Sequence, residues 1–395
     1  MLSARRAYYV VMPPSRADAP VTRADAAGFI PRRVRIDGLD VARALAIFGM
    51  FAAHIGNDSP EAGWSWLSVA HGRPSALFAV LAGVSITLML TRRAGVPGHL
   101  APASAVRHTR WRVAVRGVIL IPLGYLLTSI GTPVDVILEN LGVMFLVSLV
   151  AFRWRARWLW FGAAVCVALG QLALRTVTPS ASEWGLYSVP VLEKFWSVHY
   201  PVIAWMGYVL AGMAIGRLAL TVRRTQALLA AAGLVALGIL KAVEILAGGP
   251  LVTYGSLWLS TEAHTYTPAE MAGNLASACL VIGVCLWLGQ VARPVMWPLM
   301  AAGSMALTLY VAHIIVIAAV GKEIVWESTN VAYVALCLSA LAFACAWKWL
   351  VGQGPLEKLM SVASLAAADA VVERGAAVGF APGDDSEDIP RHRES

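Results

Sequence analysis

The chain has 395 residues, 58% of them hydrophobic and only 14% charged, with a formal net charge of +8 and a mean hydropathy of +0.68. Ordinary soluble domains carry about 25% charged residues. That excludes a soluble globular protein, and repeated apolar runs of about 20 residues predict an all-α, polytopic bundle of transmembrane helices. The basic residues are scattered between the apolar runs rather than gathered in one patch, so they speak for membrane topology and against a nucleic-acid partner.

Residues 1–31 read as a disordered cytoplasmic arm. They include Arg5 and Arg6, but the apolar stretch that follows is too short for a signal-peptide core. Ten apolar runs then follow, at about 38–57, 74–91, 112–131, 134–152, 157–175, 200–217, 226–246, 270–291, 299–319 and 331–350. Residues 32–360 make up this transmembrane domain, and 361–395 read as a cytoplasmic, largely disordered tail. With the N-terminus inside, most Lys and Arg fall on cytoplasmic segments, while Arg73, Arg175, Lys194, Lys241 and Lys322 fall outside. The alternation predicts ten spans with both termini cytoplasmic. The five cysteines all lie within apolar runs and none has ligand spacing, so they read as buried free thiols and no metal is expected.

Carboxylates and imidazoles lean the other way. Asp58, Glu61, Asp135, Glu244, Glu262 and Glu270 fall on the outer side, as do His54, His71, His199 and His264. The first run carries Asp40, Arg43, Ile47, Met50 and His54 at three- and four-residue steps, which places them on one helix face. Asp40 and His54 are about 21 Å apart along such a helix. Ionisable groups at membrane depth are costly and mark functional sites. The plainer reading makes Asp40 and Arg43 an anchoring pair and His54 an interfacial residue.

Two imidazoles, His54 and His71, flank the first outer loop, and with Asp58 or Glu61 either has the means to deprotonate an acceptor hydroxyl or amine. Arg73 has the chemistry to bind a carboxylate, phosphate or oxyanion. On the cytoplasmic side Arg110, Arg112 and Arg116 flank a helix start, a favourable place for the phosphates of an acyl-coenzyme A. A positive-inside loop explains the same arginines without a ligand. Glu139 and Asn140 lie near the outer end of the fourth run and are candidates to line a pocket. His264 precedes a helix start capped by Thr267 with Pro268 behind it. Tyr310 and His313, three residues apart in the ninth run, serve either the acceptor or a bond between helices.

Several stretches carry a family resemblance. These are Arg35 to Arg43 with a run ending at Ala53–His54, Gly72 to Ser85, Leu138 to Val143, Tyr200–Pro201 to Arg217, His264 to Glu270, Gly303 to Tyr310, and Gly354 to Glu357. In order and spacing they resemble the heparan-α-glucosaminide N-acetyltransferase-like bacterial membrane acyltransferases. The resemblance implies an acyl-CoA-dependent transmembrane enzyme. It would take an acetyl or other acyl group from cytosolic acyl-CoA and give it to an amine or hydroxyl of an extracytoplasmic sugar or envelope glycan, with an outer histidine, His54 or His71, as base or acyl carrier. In that scheme Asp40, Arg43, Arg110, Arg112 and Arg116 serve the donor, and Arg73, Glu139, Asn140, His264, Tyr310 and His313 the acceptor. Small residues in the spans would permit a homodimer. The alternative is a transporter or flippase for an anionic or lipid-linked envelope precursor, with the same charges lining a path.

Overall fold

The computed structural model describes residues 35–91, 103–246 and 258–379. The arm of residues 1–31, Arg92, Arg93 and residues 380–395 lie outside the described residues. Among those described there are helices and turns and no strand.

Each of the ten apolar runs is helical. Seven helices are long and apolar enough to cross a membrane, or eight if a bent pair counts as one, so the chain is a multi-pass membrane protein. We number the α-helices in chain order: α1 (Asp37–Ile55), α2 (Arg73–Thr91), α3 (Ala103–Ser129), α4 (Leu138–Ser148), α5 (Ala156–Glu183), α6 (Pro190–Glu193), α7 (Val202–Ile215), α8 (Arg223–Leu246), α9 (Pro268–Val291), α10 (Arg293–Gly303), α11 (Ala306–Val320), α12 (Glu323–Trp326), α13 (Asn330–Leu350) and α14 (Pro355–Gly379). Short 3-10 turns at Pro60–Ala62 and Ser65–Ala70 fill the link between α1 and α2.

The two shorter apolar helices, α4 and α7, are the most enclosed. All but one of the 14 residues of α7 are buried, because the helix is apolar on every side and has no polar face to expose. The outer ring is the opposite case. Of the 21 residues of α13 only Ala344 is buried, and α5 and α8 likewise display Leu, Val, Ile and Phe outward, as lipid-facing helices must. Helix α1 is central, packed against α2, α9, α10 and α13.

The α2–α7 crossing shows what brings these helices so close. A Cβ on Gly83 would run into the Val209 carbonyl, and one on Gly212 into the Val80 carbonyl. Backbone meets backbone there, as small residues allow in membrane bundles. A Gly212→Val change has no flexible side chain to displace. It is expected to cost about 3 kcal/mol or more, seen as a clear drop in melting temperature of the detergent-solubilised protein beside a Gly238→Ala control, where nothing lies within 4 Å of the added Cβ.

Two features depart from the sequence reading. The ninth run is broken into α10 and α11, which meet at 62° across Ser304 and Met305. The exposed N–H groups of α11 find a ready acceptor: Glu357 takes bonds from Leu307 N (2.7 Å), Thr308 N (3.1 Å) and Thr308 Oγ1 (2.6 Å). The second feature is α14, which includes residues 361–379 of the segment assigned to a tail. Its Ala- and Leu-rich sequence favours helix. Arg116 Nε reaches Ser364 Oγ (3.4 Å) and His108 Nε2 lies 2.7 Å from Asp369 Oδ1, fastening α14 to α3.

Candidate functional site

At the Asp40 end of α1, Arg43 Nη1 contacts Asp40 Oδ1 at 2.5 Å and Arg43 Nη2 donates to Ser85 Oγ at 2.8 Å. Asp40 is buried, so its charge needs the guanidinium one turn away. Arg112 and Arg43 both act electrostatically on Arg116, so three guanidiniums from α1 and α3 converge. Like charges held near one another are costly unless anions offset them, and Asp40 does so for Arg43. Arg110 stands apart: it is exposed and donates to the Leu149 carbonyl at 3.0 Å.

Eleven residues along α1 from Arg43, His54 Nδ1 lies 3.2 Å from His313 Nε2 on α11, and the rings stack. Phe51 and Tyr310 pack on His313, and Tyr310 Oη accepts the Ile137 N–H at 3.2 Å. Tyr310 and His313 therefore both join helices, but to different partners. His54 is partly exposed and His313 is buried.

His71 is elsewhere. Its Nε2 lies 3.0 Å from Asp58 Oδ2, and it lines a cavity of about 450 Å³ with Arg73, Lys241, Glu244, Glu262, Glu270 and Asn274. The structure joins His71 and Arg73 in one cavity and joins His54 to His313. No contact among the described residues ties the two histidine candidates together. Gly72, at φ +78, makes the turn that separates His71 from Arg73.

Glu139 and Asn140 are engaged within the fold. Glu139 is held by Lys194 Nζ (2.5 Å) and Thr128 Oγ1 (2.6 Å), and Asn140 Nδ2 donates to Ser197 Oγ and the Tyr200 carbonyl, both at 2.9 Å. They anchor the 194–200 loop. Lys194, beside Glu139 and Glu193, titrates above the usual lysine range although burial opposes it.

A further cluster was not apparent from the sequence. Tyr200, His264 and Tyr266 all have positive φ, a conformation rare outside glycine, and their rings meet. Glu270 holds the strained turn by accepting His264 N (3.0 Å), Tyr266 N (2.6 Å) and Asn274 Nδ2 (3.2 Å). Its two oxygens are the acceptors in a nest of backbone donors. Burial pushes the Tyr200 phenol up to about 12, with the Ser75 hydroxyl bond opposing, and pushes Tyr266 higher still.

His264 is held below the usual histidine range, first by burial and then by His199 and His71, with Asp135 opposing. The unfolded chain binds a proton at the ordinary histidine value and the folded chain only below it, so acidification through that window costs stability. His264→Asn keeps a residue that tolerates positive φ and removes the titration. Its melting temperature is expected to fall less than the parent's between pH 7 and pH 5.

Helix α1 thus brings Arg43 toward Arg112 and Arg116 of α3 and His54 against His313 of α11. Residues 35–255 match the family model of heparan-alpha-glucosaminide N-acetyltransferase, catalytic, which is more than half of the chain. The chain belongs to that family. Residues 221–366 also match a second model, a protein family of unknown function termed DUF418. No curated protein matches the chain. The matched span of this membrane acetyltransferase-like family includes Arg43, His54, His71, Arg112 and Arg116, whereas His264, Glu270 and His313 lie beyond it. Among the described residues no group of three His, Cys, Asp or Glu is placed to hold a metal ion.

Proposed function

We propose that the protein is a transmembrane acyltransferase. It takes an acyl group, acetyl in the first instance, from cytosolic acyl-CoA and passes it to an amine or hydroxyl of an extracytoplasmic sugar or envelope glycan. One observation supports this above the rest: in a chain of an acetyltransferase family, α1 carries Arg43 toward one end, with Arg112 and Arg116 of α3 near it, and His54 toward the other, paired with His313 of α11, about 16 Å away along the helix. The topology that goes with it is ten spans, counting α4, α7 and the bent α10–α11 pair, in a bacterial cytoplasmic membrane. The Arg43 end and both termini face the cytosol.

In this reading Arg43, Arg112 and Arg116 bind donor phosphates, and the thioester arm runs along α1 toward His54. The backbone of Leu309 and Tyr310 acts on the His313 ring, and its Nδ1 makes no well-aligned hydrogen bond. A proton there makes His313 Nε2 the acceptor, so His54 Nδ1–H donates to it and His54 Nε2 keeps a lone pair. That nitrogen takes the proton of the acceptor as its oxygen or nitrogen attacks the thioester carbonyl. The new C–O or C–N bond forms, the C–S bond breaks, and the proton returns to the departing thiolate. His71 and Arg73 hold the acceptor.

The test is isotope-labelled acetyl-CoA offered to purified protein in liposomes containing envelope extract. Label is expected in the acceptor fraction, and His54→Ala removes it. Absence of both donor binding and label transfer, with envelope acylation unchanged in His54→Ala and His71→Ala strains, would overturn the reading.

A further inference from the structure

The cavity that holds His71 does not end at its polar walls. Arg73 and Leu237 also line a second hollow of about 350 Å³, so the two spaces adjoin. The second hollow is a groove with a different chemistry. On α1 it is lined by Leu45, Gly49 and Ala52, one face of the helix from mid-length to its His54 end, and on α9 by Ser277, Leu280 and Val281. Among the described residues Arg73 is the only charged one along it. Leu45, Trp66 and Val69 on its rim are exposed, at 41%, 62% and 46%. An exposed leucine halfway along a membrane-spanning helix faces hydrocarbon, so the groove opens to the bilayer.

The junction carries the deciding feature. Arg73 is half-buried, and its guanidinium makes no hydrogen bond or ion pair among the described residues, although Glu244 lies within electrostatic range. A cation at the join of a polar chamber and an apolar groove calls for an anion there. The chamber beyond it is lined by Glu262 and His71, hydrogen-bonding groups suited to hydroxyls, beside Glu244, Glu270 and Asn274, which are bonded within the fold.

Resting on the acyltransferase reading, we infer that the acceptor is a lipid: a sugar joined through a phosphate to a hydrocarbon chain. Its sugar enters the His71 chamber, its phosphate meets Arg73, and its chain lies in the α1–α9 groove. This narrows the acceptor from any extracytoplasmic saccharide to one delivered laterally from the membrane.

The test uses the full chain in phosphatidylethanolamine–phosphatidylglycerol nanodiscs and a decyl phosphoglucose carrying a diazirine at the chain end, with crosslinks mapped by peptide mass spectrometry. Crosslinks are expected on groove residues such as Leu45, Val69 and Leu280. Unlabelled decyl phosphoglucose displaces the probe. Glucose 1-phosphate does not, and decyl glucoside, lacking the phosphate, competes about tenfold more weakly, as does decyl phosphoglucose on Arg73→Gln. Ser277→Trp, which fills the groove from a half-exposed position, cuts labelling at least tenfold while its melting temperature and acetyl-CoA binding stay those of the parent, which shows that it is folded. Labelling spread over the outward faces of α5, α8 and α13, or unchanged in Ser277→Trp, marks surrounding lipid only and overturns the inference. So does equal displacement by glucose 1-phosphate. Acetyl-CoA binding on the same nanodiscs separates the two proposals. Donor binding with no groove labelling sinks the lipid acceptor alone, and groove labelling with neither donor binding nor acetylation sinks the transferase alone.

Discussion

His54→Ala is expected to lower acyl transfer by about 10²–10⁴-fold, the range over which a positioned general base contributes, with acyl-CoA affinity unchanged. The reason is positional. His54 is the one imidazole on α1, partly exposed, and its second nitrogen is engaged by His313 at 3.2 Å. The neighbour sets the tautomer, so His313→Gln, which still offers an acceptor oxygen, is expected to cost only about tenfold, and His313→Leu considerably more. A merely structural His313 would move the melting temperature of both variants without separating their rates. His71→Ala should instead raise the acceptor KM and leave the rate at saturation nearly intact, since His71 lines the cavity and not the His54 pair. Rates with labelled acetyl-CoA and a fixed acceptor, measured across the four variants, check this ordering.

The second large effect concerns the donor. Arg43→Gln removes a guanidinium bonded to Asp40 and Ser85 within the three-arginine cluster. Hydrogen bonds to charged groups are worth about 1.5–3 kcal/mol, so acyl-CoA affinity is expected to fall roughly 10- to 150-fold. Arg110→Gln is the internal contrast. That side chain is exposed and caps the Leu149 carbonyl, so donor affinity should change by less than about twofold. Isothermal titration with acetyl-CoA distinguishes the two. Equal effects at Arg43 and Arg110 would mean a diffuse positive surface in place of a built phosphate site.

Much of this was legible in the residues. Apolar runs of span length became helices because backbone groups in lipid must bond within their own segment. Thr267 with Pro268 starts α9, its hydroxyl accepting Glu270 N at 3.2 Å. The stripe from Asp40 to His54 followed from helix periodicity. What stayed hidden depends on distant parts of the chain meeting. His54 and His313 are 259 positions apart, and no local pattern pairs them. The break at Ser304–Met305 has no proline at the bend, and the apolar run passes straight through it; Glu357, about fifty residues on, satisfies the broken end. Glu139 and Asn140 are polar groups near a span end that need partners, and those partners, Lys194 and the 197–200 turn, lie more than fifty positions away. The strained turn at His264 and Tyr266 lacks the glycine that flags positive φ, so its dependence on Glu270 shows only in three dimensions.

The central claim is that a donor gripped from the cytosol reaches an imidazole near the far membrane surface. Cryo-electron microscopy of the protein with a non-hydrolysable acyl-CoA analogue tests it most directly. The expected map has phosphates against Arg43, Arg112 and Arg116 and the acyl carbonyl beside His54 Nε2. A donor bound away from that cluster, or an acyl end with closed protein between it and His54, would contradict the account.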